Sequence, residues 1–260
     1  MHFIMKGNNR FFRVMRGVVA AVFWLALWWL LAVNVQQELL LPTPLAVLQT
    51  LGELVGSSLF WKAVALSLLR IAVGFLAAVI AGTLLAVLCH WFSLLQTLFS
   101  PLLHCIRAAP VASFIILMLV WVHVDAVPIL ISFLMVLPIV FVNVQEGIDR
   151  TDKQLLEMAK AYRLPIARVI KHIYVPSIRP FLVTACVNGL GFAWKSGIAA
   201  EVICRPDFSI GRQLQSAKLL LETPEVFAWT AVVIVLSLLF EKLFLVVTSR
   251  VKGGNRHGNT

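Results

Sequence analysis

The chain has 260 residues, of which 60% are apolar and 13% charged, and a formal charge of +10. Soluble domains run about 45–50% apolar and about 25% charged, so this composition leaves too little polar surface to coat a water-soluble body. The positive charge invites a nucleic-acid reading, but it gathers in blocks beside apolar runs, Lys6 to Arg16, Arg150 to Arg179 and Arg250 to Arg256, which is the pattern of membrane orientation.

In chain order, the first apolar run, Gly17 to Val33, follows a basic stretch like a signal peptide. Its length, its tryptophans and the further runs behind it predict a retained first helix. Apolar windows of about 20 residues, the thickness of a bilayer core, then recur. They place spans at about 17–34, 67–89, 100–122, 126–146, 180–203 and 225–247. No Asp, Glu, Lys or Arg falls between Ile71 and Ile106 or between Ala126 and Gln145. The expected fold class is therefore all-α, a polytopic membrane protein of about six transmembrane helices. Its parts are a cytoplasmic N-terminal tail (1–16), a transmembrane domain (17–247) containing a cytoplasmic loop (149–179), and a cytoplasmic C-terminal tail (248–260). The short basic segments favour this orientation. Lys6, Arg10, Arg13, Arg16, the 150–179 loop and the basic tail lie on one side, and only Lys62, Arg205, Arg212 and Lys218 on the other.

Between the first two spans, Leu45 to Leu59 is apolar but broken by Gly52, Glu53 and Gly56, which predicts an interfacial amphipathic helix. Beyond the fifth span, Cys204 to Glu225 holds Pro206, Gly211 and Pro224 and reads as an outer loop with a short helix. Cys89, Cys105, Cys186 and Cys204 show no CxxC or Cys/His spacing, so no metal site is expected.

The loop from Asp149 to Pro180 carries the most information. Thr151 with Gln154 reads as a capping box, starting a helix at about 152–164 that has Leu155, Ala159 and Tyr162 along one side. Pro165 ends it and suits the start of a second short helix, 165–173, which Pro176 should stop. Leu155, Leu156, Met158, Ile166, Val169 and Ile170 need an apolar partner, which predicts a docking surface.

Here the sequence resembles a known family. Glu157-Met158-Ala159, with Val175-Pro176 eighteen and nineteen residues after the glutamate, is similar to the cytoplasmic loop of binding-protein-dependent ABC transporter permeases. Leu41-Pro42-Thr43-Pro44, Ser67-Leu68-Leu69-Arg70 with Gly74-Phe75, Arg107-Ala108-Ala109-Pro110 and Ala199-Ala200-Glu201 resemble the nitrate, sulfonate, taurine and bicarbonate branch. The resemblance implies a type I importer permease whose loop is a coupling-helix pair docking on a separate ATPase through Glu157, Met158, Ala159, Tyr162, Arg163 and Pro165. It further implies an ABC ATPase dimer that binds the ATP and Mg, an extracytoplasmic solute-binding protein, and a second permease copy as partners. This chain should hold no cofactor and catalyse nothing itself, since it lacks GxxxxGK[ST]. Met158 stands where the family has alanine and Arg163 where it has glycine; because arginine resists a left-handed turn, Pro165 is expected to set the bend.

Lys195 lies inside the fifth span, beside Trp194, where a charge costs about 2.5–3.5 kcal/mol and usually faces a cavity or a partner. Lining a translocation path, pairing with a carboxylate and snorkelling all remain open. Glu201 is six positions away and faces another side of the helix. Arg107, beside Pro110 at a candidate break in the third span, is either a path residue or a partner of Glu146. Gly189, Gly191 and Gly197 read as close-packing positions. The expected function is import of a small anionic solute across the inner membrane. The alternatives are an ATP-independent carrier, which needs inverted repeats, and an importer of a thiamine pyrimidine precursor.

Overall fold

The computed structural model describes the backbone of residues 9–253 and the side chains of residues 15–242. Every regular element among them is helical, the arrangement that satisfies each backbone amide within its own segment in lipid. The elements are α1 (Asn9–Val35), α2 (Pro44–Gly56), α3 (Ser58–Trp91), α4 (Ser93–Ala108), α5 (Val111–Trp121), α6 (Val127–Asp149), α7 (Lys153–Ala161), α8 (Ile166–Val169), a π-helical turn (Ile170–Tyr174), α9 (Val175–Cys204), α10 (Ile210–Leu219) and α11 (Thr223–Gly253). Five helices are long and apolar enough to cross a membrane, and six if α4 and α5 together form one broken span.

That pair replaces the single span expected at 100–122. The two helices bend by 110° where Ala109 and Pro110 are both extended. The proline ring clashes with a helical residue before it, so the helix ends at Ala108 and a new one begins at Val111. α1 begins at Asn9, within the stretch expected to be a tail. A helix does form in the segment expected at 45–59, but it ends at Gly56 and Leu59 already belongs to α3; Thr43 caps it by accepting from the Ala46 amide at 3.3 Å, with Pro44 in its first turn.

The chain divides into two compact units. The first contains the residues up to Phe60 and Leu214–Val232. Aromatic side chains hold it together: Trp28 donates Nε1–H to the Pro42 carbonyl at 3.1 Å and stacks on Phe227, while Phe60 stacks on buried Trp229 at 5.1 Å. The second contains Trp61–Gln213 and the chain from Val233. Its core is α6, which buries Val127, Ile131, Val136, Val140 and Val144 completely and packs extensively on α9. Two glycines allow α3, α6 and α9 to approach closely. A Cβ on Gly197 of α9 would sit 2.5 Å from Ile71 and 2.7 Å from Ser132, and one on Gly74 of α3 would sit 2.3 Å from the Ile129 carbonyl. The apolar side chains left outside, among them Val73, Leu76, Ile80 and Leu84 on α3, are those a lipid-facing surface requires.

Candidate functional site

The loop after α6 is a helix, a left-handed turn and a second helical segment. Asp152, not Thr151, caps α7: its carboxylate accepts from the Gln154 amide at 2.8 Å, while the buried Thr151 hydroxyl donates back to the Gly147 carbonyl. Two adjacent residues were competent to cap, and Thr151 is claimed by the end of α6. At the far end the Leu164 amide donates to Ala159 O (2.9 Å) and the Arg163 amide to Lys160 O (3.1 Å). This closes a Schellman turn in which Arg163 itself takes the left-handed conformation, at φ 47°. The bend expected at Pro165 is therefore made two residues earlier, in the position that favours glycine. Those two hydrogen bonds outweigh the steric cost of the arginine Cβ. Pro165 then precedes α8 in an extended conformation.

Pro176 does not stop the second segment. α8, the π turn and α9 run on as one 39-residue helical stretch from Ile166 to Cys204. In the π turn the Val175 amide reaches Ile170 O, five residues back. The wider turn next to Pro176 and Pro180 absorbs the hydrogen bonds that prolines cannot make. The turn also walls an apolar cavity of about 280 Å³, where His90 meets Tyr174 edge-on at 6.1 Å.

On this segment Leu155, Met158 and Tyr162 share one exposed face, followed by exposed Ile166 and Ile170. Glu157, Arg163 and Pro165 are exposed too. Ala159 differs, being buried inside the chain, so it seats α7 instead of facing outward.

Lys195 is exposed to a recess of about 230 Å³ between α9 and α11, floored by Leu68 and Ile71 of α3. Among the described residues it makes no ion pair. Trp194 is buried, donates Nε1–H to the Val233 carbonyl at 3.1 Å and lies against Phe240, so it fastens α9 to α11 at the rim of the recess. Gly191 departs from its expected packing role, since nothing lies within 4 Å of where its Cβ would be, and it lines the same recess. Gly189 and Gly197 do pack closely. Arg107 is exposed on the last turn of α4, outside this recess, and Glu146 is held by Arg150 at 2.6 Å instead.

A third group escaped sequence reasoning. Fully buried Glu201 accepts from Ser67 Oγ at 2.7 Å and from the Gly211 amide at 3.2 Å, and Ser67 in turn accepts from the Ile210 amide at 3.0 Å. Arg70 lies 3.8 Å from Glu201, pairs with Asp125 at 2.8 Å and donates to the Asp207 carbonyl at 2.9 Å. The start of α3, the end of α9 and the start of α10 are thereby pinned together. Ser67, Arg70 and Glu201 all fall in resemblance motifs; the overlooked signal was one basic and one acidic residue, each at the edge of an apolar span.

Long apolar helices joined by an exposed two-part helical loop define the class, a polytopic all-α membrane protein. The chain belongs to the family of binding-protein-dependent transport system inner membrane components, whose model matches residues 74–253. The taurine transport system permease protein of Escherichia coli (strain K12) is 27% identical over 224 residues, which span 84% of this chain and 81% of that one. The putative aliphatic sulfonates transport permease protein of Bacillus subtilis (strain 168) is 25% identical, covering 86% and 81%. The bicarbonate transport system permease protein of Synechococcus elongatus is 26% identical, covering 59% and 55%. The solved structure of an amino acid ABC transporter shares the fold, with a TM-score of 0.59 at 18% identity over 74% of this chain and 94% of that one. This protein is accordingly a multi-pass inner-membrane permease subunit of an ABC importer, a role that implies an ATPase and a solute-binding protein as partners.

Proposed function

We propose that this permease passes a small oxyanion-bearing solute, of the sulfonate, taurine, nitrate or bicarbonate class, through a path that Lys195 lines. The observation carrying this reading is a lysine inside an apolar span that opens on a recess and has no ion-pair partner among the described residues. Relatives that transport taurine, aliphatic sulfonates and bicarbonate support a cationic lining.

α7, the Schellman turn and the helical stretch from Ile166 form the coupling segment, on the cytoplasmic side with both chain termini. Leu155, Met158 and Tyr162 present its apolar face to a groove on the ATPase, Glu157 and Arg163 flank that face, buried Ala159 seats it, the turn at Arg163 sets its angle and Pro165 leads into the second half. Because the second half of the segment runs unbroken into α9, closure of an ATPase dimer moves α9 as a lever and alters access to the recess. A second copy of the chain supplies the other half of the path.

Affinity purification of the full chain from its own membrane, followed by ATP-driven uptake of an alkanesulfonate by the reconstituted complex, tests both parts. Met158→Glu places a carboxylate on the exposed apolar face and is expected to release the ATPase while thermal stability moves by less than about 0.5 kcal/mol. An ATPase retained by this variant removes the docking assignment. Lys195→Ala is expected to abolish uptake with the complex intact; unchanged uptake at unchanged expression removes Lys195 from the path.

A further inference from the structure

The recess that holds Lys195 also holds a carboxylate. Along α9, Asn188, Gly191 and Lys195 stand at i, i+3 and i+7, so they share one helical face. Across from them α11 contributes Ser237 and Glu241, four residues apart and so also on one face. Neither Lys195 nor Glu241 comes within ion-pair distance of an opposite charge among the described residues, although they line the same recess. Open space at Gly191 widens the recess between Asn188 and Lys195, and the Trp194 contacts with Val233 and Phe240 keep α9 and α11 at a fixed spacing beside it.

From this we infer that the recess is a solute site for a zwitterion: Lys195 and Asn188 take an oxyacid head, and Glu241 and Ser237 take an ammonium group. This deepens the oxyanion reading above and rests on it. A solute carrying only negative charge is drawn to Lys195 but repelled by Glu241. A solute carrying only positive charge meets the reverse. A small molecule with both groups a few bonds apart satisfies both walls and is neutral as a whole, which lowers the cost of its passage at membrane depth. Discrimination then follows from the unmatched partner, since a charged group left facing a solute that lacks the complementary group penalises that solute.

Equilibrium binding to the purified permease–ATPase complex in lipid nanodiscs tests the assignment. The probes are matched pairs, each a zwitterion and its amine-free counterpart: 2-aminoethanesulfonate with ethanesulfonate, β-alanine with propionate, glycine with acetate. In at least one pair the zwitterion is expected to bind about tenfold more tightly or better. Glu241→Gln is expected to bring that ratio close to one, Lys195→Gln to weaken both members, and Gly191→Leu to block both by filling the open space, with ATPase co-purification reporting that each variant is folded. Equal binding within every pair, or a zwitterion preference that survives Glu241→Gln, overturns the zwitterion assignment. If binding depends on Lys195 and ignores the amine, that assignment falls and the oxyanion reading stands. If none of these probes binds, both fall.

Discussion

The two ends of the second unit are built on opposite principles. At the loop between α6 and α9, backbone hydrogen bonds in a Schellman turn and a π turn, helped by one short aspartate cap, hold the structure and leave Leu155, Met158, Tyr162 and Ile166 free to face outward. At the other end, where α9 finishes beside α3, side chains hold it: Ser67 and Glu201 accept from the first amides of α10, and Arg70, 3.8 Å from Glu201, donates to Asp125 and the Asp207 carbonyl. A segment that must offer its side chains to a partner cannot also spend them on its own fold. An end that only has to keep three helices together can bury them.

The largest expected effect follows from that contrast. Glu201→Ala removes the fully buried acceptor of the Ser67 hydroxyl and the Gly211 amide, and the carboxylate that stands 3.8 Å from the Arg70 guanidinium. Removing one member of such a buried group costs about 3 kcal/mol, to be read as a loss of thermal stability in detergent or nanodiscs. Glu201→Gln keeps an acceptor oxygen and is expected to lose clearly less. If alanine at this position is as stable as the parent chain, the side-chain-held end is not load-carrying and the comparison fails.

What was legible in the sequence divides along the same line. The spans were legible because each is a local run of apolar residues, whereas Arg163 at the family's glycine position argued against the left-handed bend that forms there. Bends and partners were not legible. A hydropathy window averages over Ala109-Pro110 and so reports one span where the chain turns by 110°. Pro176 reads as a stop because the local rule takes no account of a π turn that accommodates it. Thr151 and Asp152 are equally good caps until the end of α6 is known to occupy the threonine. Glu201 meets Ser67 from 134 residues away, a separation no local spacing encodes. Lys195 was legible as a charge in a span, but Glu241 across the recess was not, because nothing in either helix alone places the two on facing walls.

Smaller effects test the backbone-held end. Asp152→Ala removes the cap from the Gln154 amide and is expected to cost about 1 kcal/mol. The loss should appear as faster hydrogen exchange confined to the first turn of α7, because the exposed face contributes little to holding the segment.

Arg163→Gly is the finest test, since it is expected to stabilise. Arg163 sits at φ 47°, where an L side chain pays a steric penalty that glycine does not. The hydrogen bonds Leu164 N–H to Ala159 O and Arg163 N–H to Lys160 O involve only backbone and survive the change. Glycine also gains freedom in the unfolded chain, which offsets part of the relief, so the net gain is about 0.5 kcal/mol, read as slower exchange at the Leu164 amide. If exchange there speeds up instead, the arginine side chain itself holds the turn, and the division between a backbone-held and a side-chain-held end breaks at the residue where the two principles meet.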